Sequence, residues 1–329
     1  LVFGWFVNWT RAKSCEKKIN FLCTDDTVES FLFSLCFWRS LYLRKDLNPS
    51  CNRRKIDSFG LDQDSKSKLL IFIPITDGLG IMIMATYETF AAVYDAVMDD
   101  SLYDLWTDFS LRHLPKTKDK KKLLELACGT GIQSVRFSQA GFDVTGLDLS
   151  ADMLKIAQKR ASSAKQKIDF IEGNMLDLSQ AGKYDFVTCY SDSICYMQDE
   201  VEVGDVFKEV YNALNEDGVF IFDVHSTYQT DEVFPGYSYH ENAEDFAMLW
   251  DTYEDAAPHS IVHELTFFVQ EEDGSFNRHD EVHEERTYEV LTYDILLEQA
   301  GFKSFKLYAD FEDKEPTETS ARWFFVAQK

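Results

Sequence analysis

The chain has 329 residues, 45% of them hydrophobic, and a formal net charge of −24. That length allows one large domain or two small ones, with enough apolar material for a real core. The charge is uneven: residues 1–83 hold 12 Lys+Arg against 9 Asp+Glu, and residues 84–329 hold 21 against 48. A body this acidic repels phosphate backbones, which argues against nucleic acid as a partner. No apolar run reaches the ~18 residues that span a bilayer. None of the seven cysteines forms a C-x-x-C pair. A zinc or redox motif therefore has no support, and a cytoplasmic location fits.

Residues 1–83 do not read like the rest. Residues 1–68 sustain neither helical nor strand periodicity. No methionine precedes Met82. We read residues 1–83 as a non-native extension, translated upstream of a start at Met84, or as a genuine extension without order. Residues 84–329 form the second unit.

From Tyr87 to His113 apolar residues recur at helical spacing, with a break near Asp99-Asp100-Ser101, so two helices are predicted. Lys116–Lys122 is a solvated linker. Strands and helices then alternate: strand Leu123–Cys128, helix Ile132–Ala140, strand Asp143–Asp148, and helix Ala151–Ala161 with Ser150 as N-cap. Strands Ile168–Glu172 and Tyr184–Tyr190 follow, then helix Val203–Leu214 and, after the turn 215–218, strand Val219–Val224. Such alternation, with apolar strands, predicts a doubly wound, mostly parallel sheet.

Past His225 the alternation stops. Ile261–Gln270 and Phe276–Tyr288 read as an antiparallel hairpin with one wet face, part of an insert over about 226–289. Helix Thr292–Ala300 stops at Gly301, and strands Phe305–Ala309 and Trp323–Ala327 end the domain.

The chemistry is concentrated where the first strand ends. Glu125-Leu126-Ala127-Cys128-Gly129-Thr130-Gly131 places small residues between a strand and a helix N-terminus, so the backbone can approach a ligand closely. Seventeen residues past Gly131, Asp148 ends the second strand, where a carboxylate can accept both hydroxyls of a ribose. The spacing E-x-A-x-G-x-G differs from the dinucleotide G-x-G-x-x-G, so the ligand need not carry a pyrophosphate. In an open sheet of this kind ligands bind outside the carboxyl ends of the strands, and both elements fall there.

These motifs resemble the class I S-adenosylmethionine-dependent methyltransferases. From Tyr87 onward the chain is similar to the YqeM-like group of small bacterial enzymes. The likeness rests on Phe90-Ala91-x-x-Tyr94-Asp95, the glycine turn, Asp148-Leu149-Ser150-x-x-Met153-Leu154, Asp192-Ser193-x-x-Tyr196, Phe222-Asp223-Val224-His225-Ser226 and His283-Glu284-Glu285-Arg286-Thr287. It implies a seven-stranded Rossmann-like sheet of order 3-2-1-4-5-7-6, the last strand antiparallel, with an antiparallel β insert, and S-adenosylmethionine as cofactor.

The resemblance also implies roles. Ala127, Gly129 and Gly131 would form the cofactor turn, and Glu125 would support it and the methionine end, unless it only caps backbone N–H groups. Asp148 and Leu149 would take the ribose region. Asn174 would meet the adenine amino group and Met175 its ring face, or the pair forms a surface turn. Asp192 and Ser193 would line the site beside the sulfonium, or cap a helix. Tyr94 and Trp106 would close over the cofactor from the N-terminal helices; Trp106 serves equally as packing.

His225 follows the fifth strand at its ligand end, where an imidazole suits a base at neutral pH. It is the first candidate for positioning the acceptor or removing its proton, with Asp223 to orient it; the alternative is a structural histidine. His283, Glu285 and Arg286 either line an acceptor pocket, with Arg286 on an acceptor carboxylate, or form a ladder of exposed ion pairs. Tyr237, Tyr239, His240 and Trp250 are lesser pocket candidates. No metal is expected. Methyl transfer to oxygen or nitrogen of a small molecule follows, by a monomer or homodimer without membrane contact. The rivals are a sensor or scaffold that binds S-adenosylmethionine without turnover, an NAD-linked enzyme, and a macromolecular acceptor.

Overall fold

The computed structural model describes residues 100–115, 121–271 and 273–329. The reading of residues 1–83 as an extension and the first predicted helix, with Tyr94, lie outside the described residues.

Five strands form the parallel part of the main sheet: β1 (Lys122–Leu126), β2 (Asp143–Asp148), β3 (Asp169–Glu172), β4 (Tyr184–Cys189) and β5 (Leu214–His225). The sheet has seven strands in the order β10-β11-β5-β4-β1-β2-β3, with β10 (Ser304–Ala309) and β11 (Arg322–Gln328) added at one edge. β11 runs antiparallel to both β5 and β10. Numbered within this sheet alone, the order is 3-2-1-4-5-7-6. Helices cover both faces, which is why β4 and β5 are buried almost throughout.

The helices are set by local signals. α1 (Asp100–His113) precedes the sheet. α2 (Ile132–Gln139) starts from Gly131 in the left-handed conformation. α3 (Ala151–Ser163) is capped by Ser150, whose hydroxyl accepts the Met153 N–H. α4 (Glu200–Ala213) begins three residues earlier than its apolar periodicity suggests. Asp199 caps it by accepting the Val201 and Glu202 N–H groups, and Glu200 and Glu202 oppose the helix dipole. α5 (Val290–Ala300) ends at Gly301, φ 110°, with N–H bonds from Gly301 and Phe302 back to the Leu297 carbonyl.

The predicted turn at residues 215–218 is absorbed into β5. The strand begins at Leu214 and accommodates the extra residues by a register irregularity opposite Tyr184–Phe186, with Asp217 at φ 60°. The core on this side is aromatic: the rings of Phe222 and Phe325, adjacent on β5 and β11, stack at 4.7 Å with 2° between planes.

The insert is larger than a hairpin. It has four antiparallel strands in sequence order: β6 (Ser238–Asn242), β7 (Phe246–Glu254), β8 (Ser260–Gln270) and β9 (Phe276–Arg286). A π-helical turn, Gln229–Val233, leads into it from β5. One face is dry. Met248, Trp250 and Thr252 of β7 and Ile261, His263, Leu265 and Phe267 of β8 are buried, while their neighbours along each strand are more open. On β9 the same face carries Glu281, His283 and Glu285. No helix among the described residues is long and apolar enough to cross a membrane.

Candidate functional site

The strand order reverses between β1 and β4, and at that switch point a cavity of about 350 Å³ opens at the carboxyl ends of the strands. Three groups of residues wall it. α1 contributes Tyr103 and Trp106; the ends of β1 and β2 contribute Glu125, Ala127 to Thr130 and Asp148 to Ser150; the segment after β4 contributes Ser193, Tyr196 and Met197. The insert closes it with Glu281 and His283 of β9.

The backbone around this cavity is held away from ordinary conformations. Ala127, the first residue past β1, has φ 51°, and Ser191 and Asp192, just past β4, have φ 62° and 48°. A left-handed non-glycine residue costs about 1 kcal/mol or more, and such strain persists where the surroundings impose it, often at ligand sites. The two glycines of the turn differ. A Cβ on Gly129 (φ 53°) would meet nothing within 4 Å, so its open side faces the cavity it lines. A Cβ on Gly131 (φ 75°) would lie 2.8 Å from the Ala157 Cβ, so that glycine serves close packing of α2 on α3.

Asp148 ties the two strand ends together. Its carboxylate accepts the Gly129 N–H and the Ser150 N–H, each at 2.8 Å. Burial raises its pKa, and those two donors oppose the rise. Glu125 lies beneath the turn. Burial pushes its carboxyl up to about 8, against the pull of the Ser134 hydroxyl that donates to it, so at neutral pH it mostly carries a proton. Leu149 is exposed and Met175 buried, and both line the cavity. Asn174 is not in the lining; its Oδ1 accepts the Leu176 N–H at 2.9 Å within the turn.

Asp192, Asp223 and His225 form a different structure. All three are buried and absent from the cavity lining. Arg322 of β11, in register with His225 of β5, bonds both Asp192 and Asp223; its Nη1 is 2.5 Å from the Asp223 carboxylate. Asp223 also accepts the Trp106 indole N–H at 2.9 Å and the Asp192 N–H at 3.2 Å. His225 Nε2 lies 3.4 Å from Asp192 and 3.2 Å from Glu285 of the insert. Burial alone would lower the His225 pKa, but the Asp192 carboxylate, joined by Glu285, outweighs it and lifts it to about 9. Asp192 is held well below its usual range: burial works against this, and Arg322 and His225 overcome it.

His225 is therefore an imidazolium at neutral pH, without a free site for a proton. Its surroundings differ from the open ligand-side position read from the sequence. The reason is that Glu285 arrives from a distant strand. The ligand atoms of Asp192, His225 and Glu285 lie within 4.8 Å of one another, close enough to hold a metal. Arg322 and the protonated His225 already supply positive charge there.

His263 completes the inner face. Trp250 donates to its Nδ1 at 3.1 Å, which places its proton on Nε2, facing Glu285 at 3.8 Å. Burial drives its pKa down to about 4, so it is neutral. His283, paired with His263 across the ladder, borders both the open cavity and a void of about 10 Å³ beside His225, His263 and Glu285. Tyr237 packs on Trp250, with centroids 5.1 Å apart, and Tyr239 donates to Glu241. Neither these two nor His240 lines the cavity. Arg286 turns away, its guanidinium over the Tyr288 ring at 4.7 Å and donating to the Pro258 carbonyl.

Of the residues singled out in the sequence, the cavity gathers Trp106, Glu125, Ala127, Gly129, Asp148, Leu149, Met175, Ser193 and His283. Sequence reasoning missed Arg322 and Glu281. Arg322 was visible only as a lone cation opening an apolar strand, and its carboxylate partners lie 99 and 130 positions away.

The reversed strand order, the open glycine turn and the strand-end carboxylate define a Rossmann-like, S-adenosylmethionine-dependent methyltransferase. The methyltransferase domain family matches residues 123–218. A provisionally named methyltransferase of Geobacillus sp. (strain WCH70) is 44% identical over 246 residues, 74% of this chain and 100% of that protein. YqeM of Bacillus subtilis (strain 168), likewise provisionally named, is 39% identical over 244 residues, 74% of this chain and 97% of its own length. The crystal structure of an S-adenosylmethionine-dependent methyltransferase from Clostridium acetobutylicum ATCC 824 superposes with a TM-score of 0.64 at 26% identity, covering 74% of this chain and 98% of that one. The chain belongs to the YqeM-like group of methyltransferases.

Proposed function

We propose that this enzyme methylates nitrogen or oxygen of a small molecule, bound between the S-adenosylmethionine site and the inner face of the insert. The observation that carries the reading is that β9 reaches into the same cavity as the glycine turn and Asp148. A volume of about 350 Å³ walled on that side by a sheet suits small ligands. The balance of 48 acidic against 21 basic residues in 84–329 works against a polynucleotide acceptor.

The residues present fit the cofactor. Gly129 leaves open space at the turn, and the partly buried Asp148 keeps acceptor capacity beyond its two backbone donors for ribose hydroxyls. Leu149 and Met175 would offer apolar contact to the adenine ring, and Ala127, Gly129, Ser193 and Trp106 would stand about the amino-acid end. S-adenosylmethionine supplies a methyl group activated by positively charged sulfur. The protein's work is to exclude water, hold the acceptor in line and receive a proton. Asp192, Asp223 and His225 contribute by holding the strand ends, α1 and the insert together.

The test uses the full chain with methyl-labelled S-adenosylmethionine and three fractions of a bacterial extract: small molecules, RNA and protein. Label confined to the small-molecule fraction is expected. Label in RNA or protein, or none at all, would sink the small-molecule reading.

A further inference from the structure

The insert places a carboxylate–imidazole pair in the wall of the cavity. Glu281 and His283 stand two residues apart on β9, so their side chains share a face, and Glu281 Oε2 lies 2.8 Å from His283 Nε2. Both are sheltered without being sealed, with side chains 18% and 17% exposed. Tyr196 packs against the imidazole edge-on, centroids 6.0 Å apart and planes at 84°, which limits how the ring can turn. With Nε2–H donating to Glu281, Nδ1 is the nitrogen left to accept a proton. A carboxylate that orients one imidazole nitrogen so that the other can act as base is a familiar catalytic arrangement.

The charge of the cavity narrows the acceptor. Its ionisable lining among the described residues is Asp148, Glu281 and His283, with Glu125 mostly protonated, Cys128 and three tyrosines, and includes no lysine or arginine. Arg286, which could have met an anionic acceptor, is engaged with Tyr288 and Pro258 outside the cavity. On the side the insert walls, where Glu281 is the carboxylate and no lysine or arginine answers it, a cation is favoured over a carboxylate or phosphate. An alkylamine arrives as an ammonium ion whose lone pair is occupied until it loses a proton.

Resting on the methyl-transfer reading, we propose that the acceptor is a small amine and that His283, oriented by Glu281, is the catalytic base that takes its proton. The ammonium gives one proton to His283 Nδ1, which frees the nitrogen lone pair. That pair forms the new N–C bond as the methyl's bond to sulfur breaks, the bonding electrons staying on sulfur. The products are a methylated ammonium ion and neutral S-adenosylhomocysteine. Deprotonation of His283 by solvent resets the site. Glu281 acts through His283 and is a positioning residue.

The experiment incubates the full chain with S-adenosyl-L-methionine carrying a deuterated methyl group and the small-molecule fraction of a bacterial extract. Mass spectrometry then locates the label, with S-adenosylhomocysteine binding measured by calorimetry in parallel. The expected result is label on nitrogen. In His283→Asn the transfer rate should fall at least a hundredfold while S-adenosylhomocysteine affinity stays within twofold. Glu281→Gln should lower kcat about tenfold and raise the acceptor KM, leaving the S-adenosylmethionine KM in place. Nitrogen labelling unaffected by His283→Asn would overturn the proposal while methyl transfer to a small molecule stood, and so would label on oxygen or carbon. Loss of S-adenosylhomocysteine binding in His283→Asn would make the residue part of the cofactor site or the fold, against the proposal. Absence of label from small molecules would remove the proposed function and this inference with it.

Discussion

The turn between β1 and α2 and the cluster beneath the insert are neighbours, yet they are built on opposite rules. The turn is made of backbone, small side chains and open space, with one carboxylate holding two N–H groups. The cluster is made of charged side chains withdrawn from water: Asp192, Asp223, His225, Glu285 and Arg322 are all buried. The difference teaches where each kind of interaction is useful. A ligand site needs room and close approach to backbone, and the backbone there is strained at Ala127, Ser191 and Asp192. A joint between β5, β11, α1 and the insert needs a unique arrangement, and buried charges accept few alternatives. Strength is not the motive, because a buried ion pair seldom outperforms well-packed apolar side chains.

The comparison breaks most severely at Arg322. Removing its guanidinium in Arg322→Met leaves Asp192 and Asp223 facing each other without their main counter-charge. Loss of one partner from a buried pair typically costs about 3–5 kcal/mol. Urea denaturation should show a fall of that order, with S-adenosylhomocysteine binding retained wherever the variant is folded. A loss under 1 kcal/mol would mean the cluster is not the joint described.

His225 gives the next largest effect, and it depends on pH. Its pKa is about 9 folded, against roughly 6.5 in an unfolded chain. The stability it contributes is fully present below pH 6.5 and is lost as pH rises through 9. The shift corresponds to on the order of 3 kcal/mol. Glu125, raised to about 8 by burial, also makes stability fall with pH, between roughly 4.5 and 8, so the wild type alone does not isolate the histidine. The difference in unfolding free energy between wild type and His225→Gln does. It should shrink from pH 6.5 to 9.5; a difference constant with pH would mean that His225 is not held as an imidazolium.

The same contrast explains what was legible in the sequence. The turn side is local: Glu125 to Gly131 and Asp148 sit within one strand–helix–strand unit, whose chemistry follows from spacing and small residues. The doubly wound order came through resemblance, since periodicity carries no strand order. The cluster side joins residues from positions 192, 223, 285 and 322, and no spacing rule links them. His225 was noticed, but a base and a clamped imidazolium look alike until Glu285 is placed beside it. β6 and β7 went unread for a smaller reason. β6 is Ser-Tyr-His-Glu-Asn with no buried residue, and the alternation of Phe246, Met248, Trp250 and Thr252 on β7 was missed.

Asp148 tests the open side. In Asp148→Asn the amide oxygen can still accept one backbone N–H, so the turn keeps part of its support. The charge that strengthens hydrogen bonds to ribose hydroxyls is gone, and such bonds are worth roughly 1.5–3 kcal/mol. Calorimetry should show S-adenosylhomocysteine affinity lowered by about 2 kcal/mol, or thirtyfold, with little loss of stability. If affinity is unchanged, Asp148 serves only to join β2 to the turn.

The smallest effect separates the two glycines. Gly129→Ala adds a methyl group that meets no protein atom within 4 Å, so the fold bears only the strain of a side chain at φ 53°, about 1 kcal/mol. Gly131→Ala adds the same strain and drives its Cβ to 2.8 Å from that of Ala157 and 3.1 Å from the Ala157 Cα, backbone that cannot move without shifting α3. Stability should therefore fall further at 131 than at 129. Cofactor affinity should do the reverse relative to stability, because the methyl at 129 occupies space beside the cavity while the one at 131 is spent on the helix contact. Denaturation and calorimetry on the two variants give four numbers, and the prediction is the crossing of their ranks. If Gly129→Ala binds S-adenosylhomocysteine as well as wild type does, the open space beside the turn is not where the cofactor lies. The cavity's boundary with the ligand would then have to be drawn nearer to α1 and Ser193.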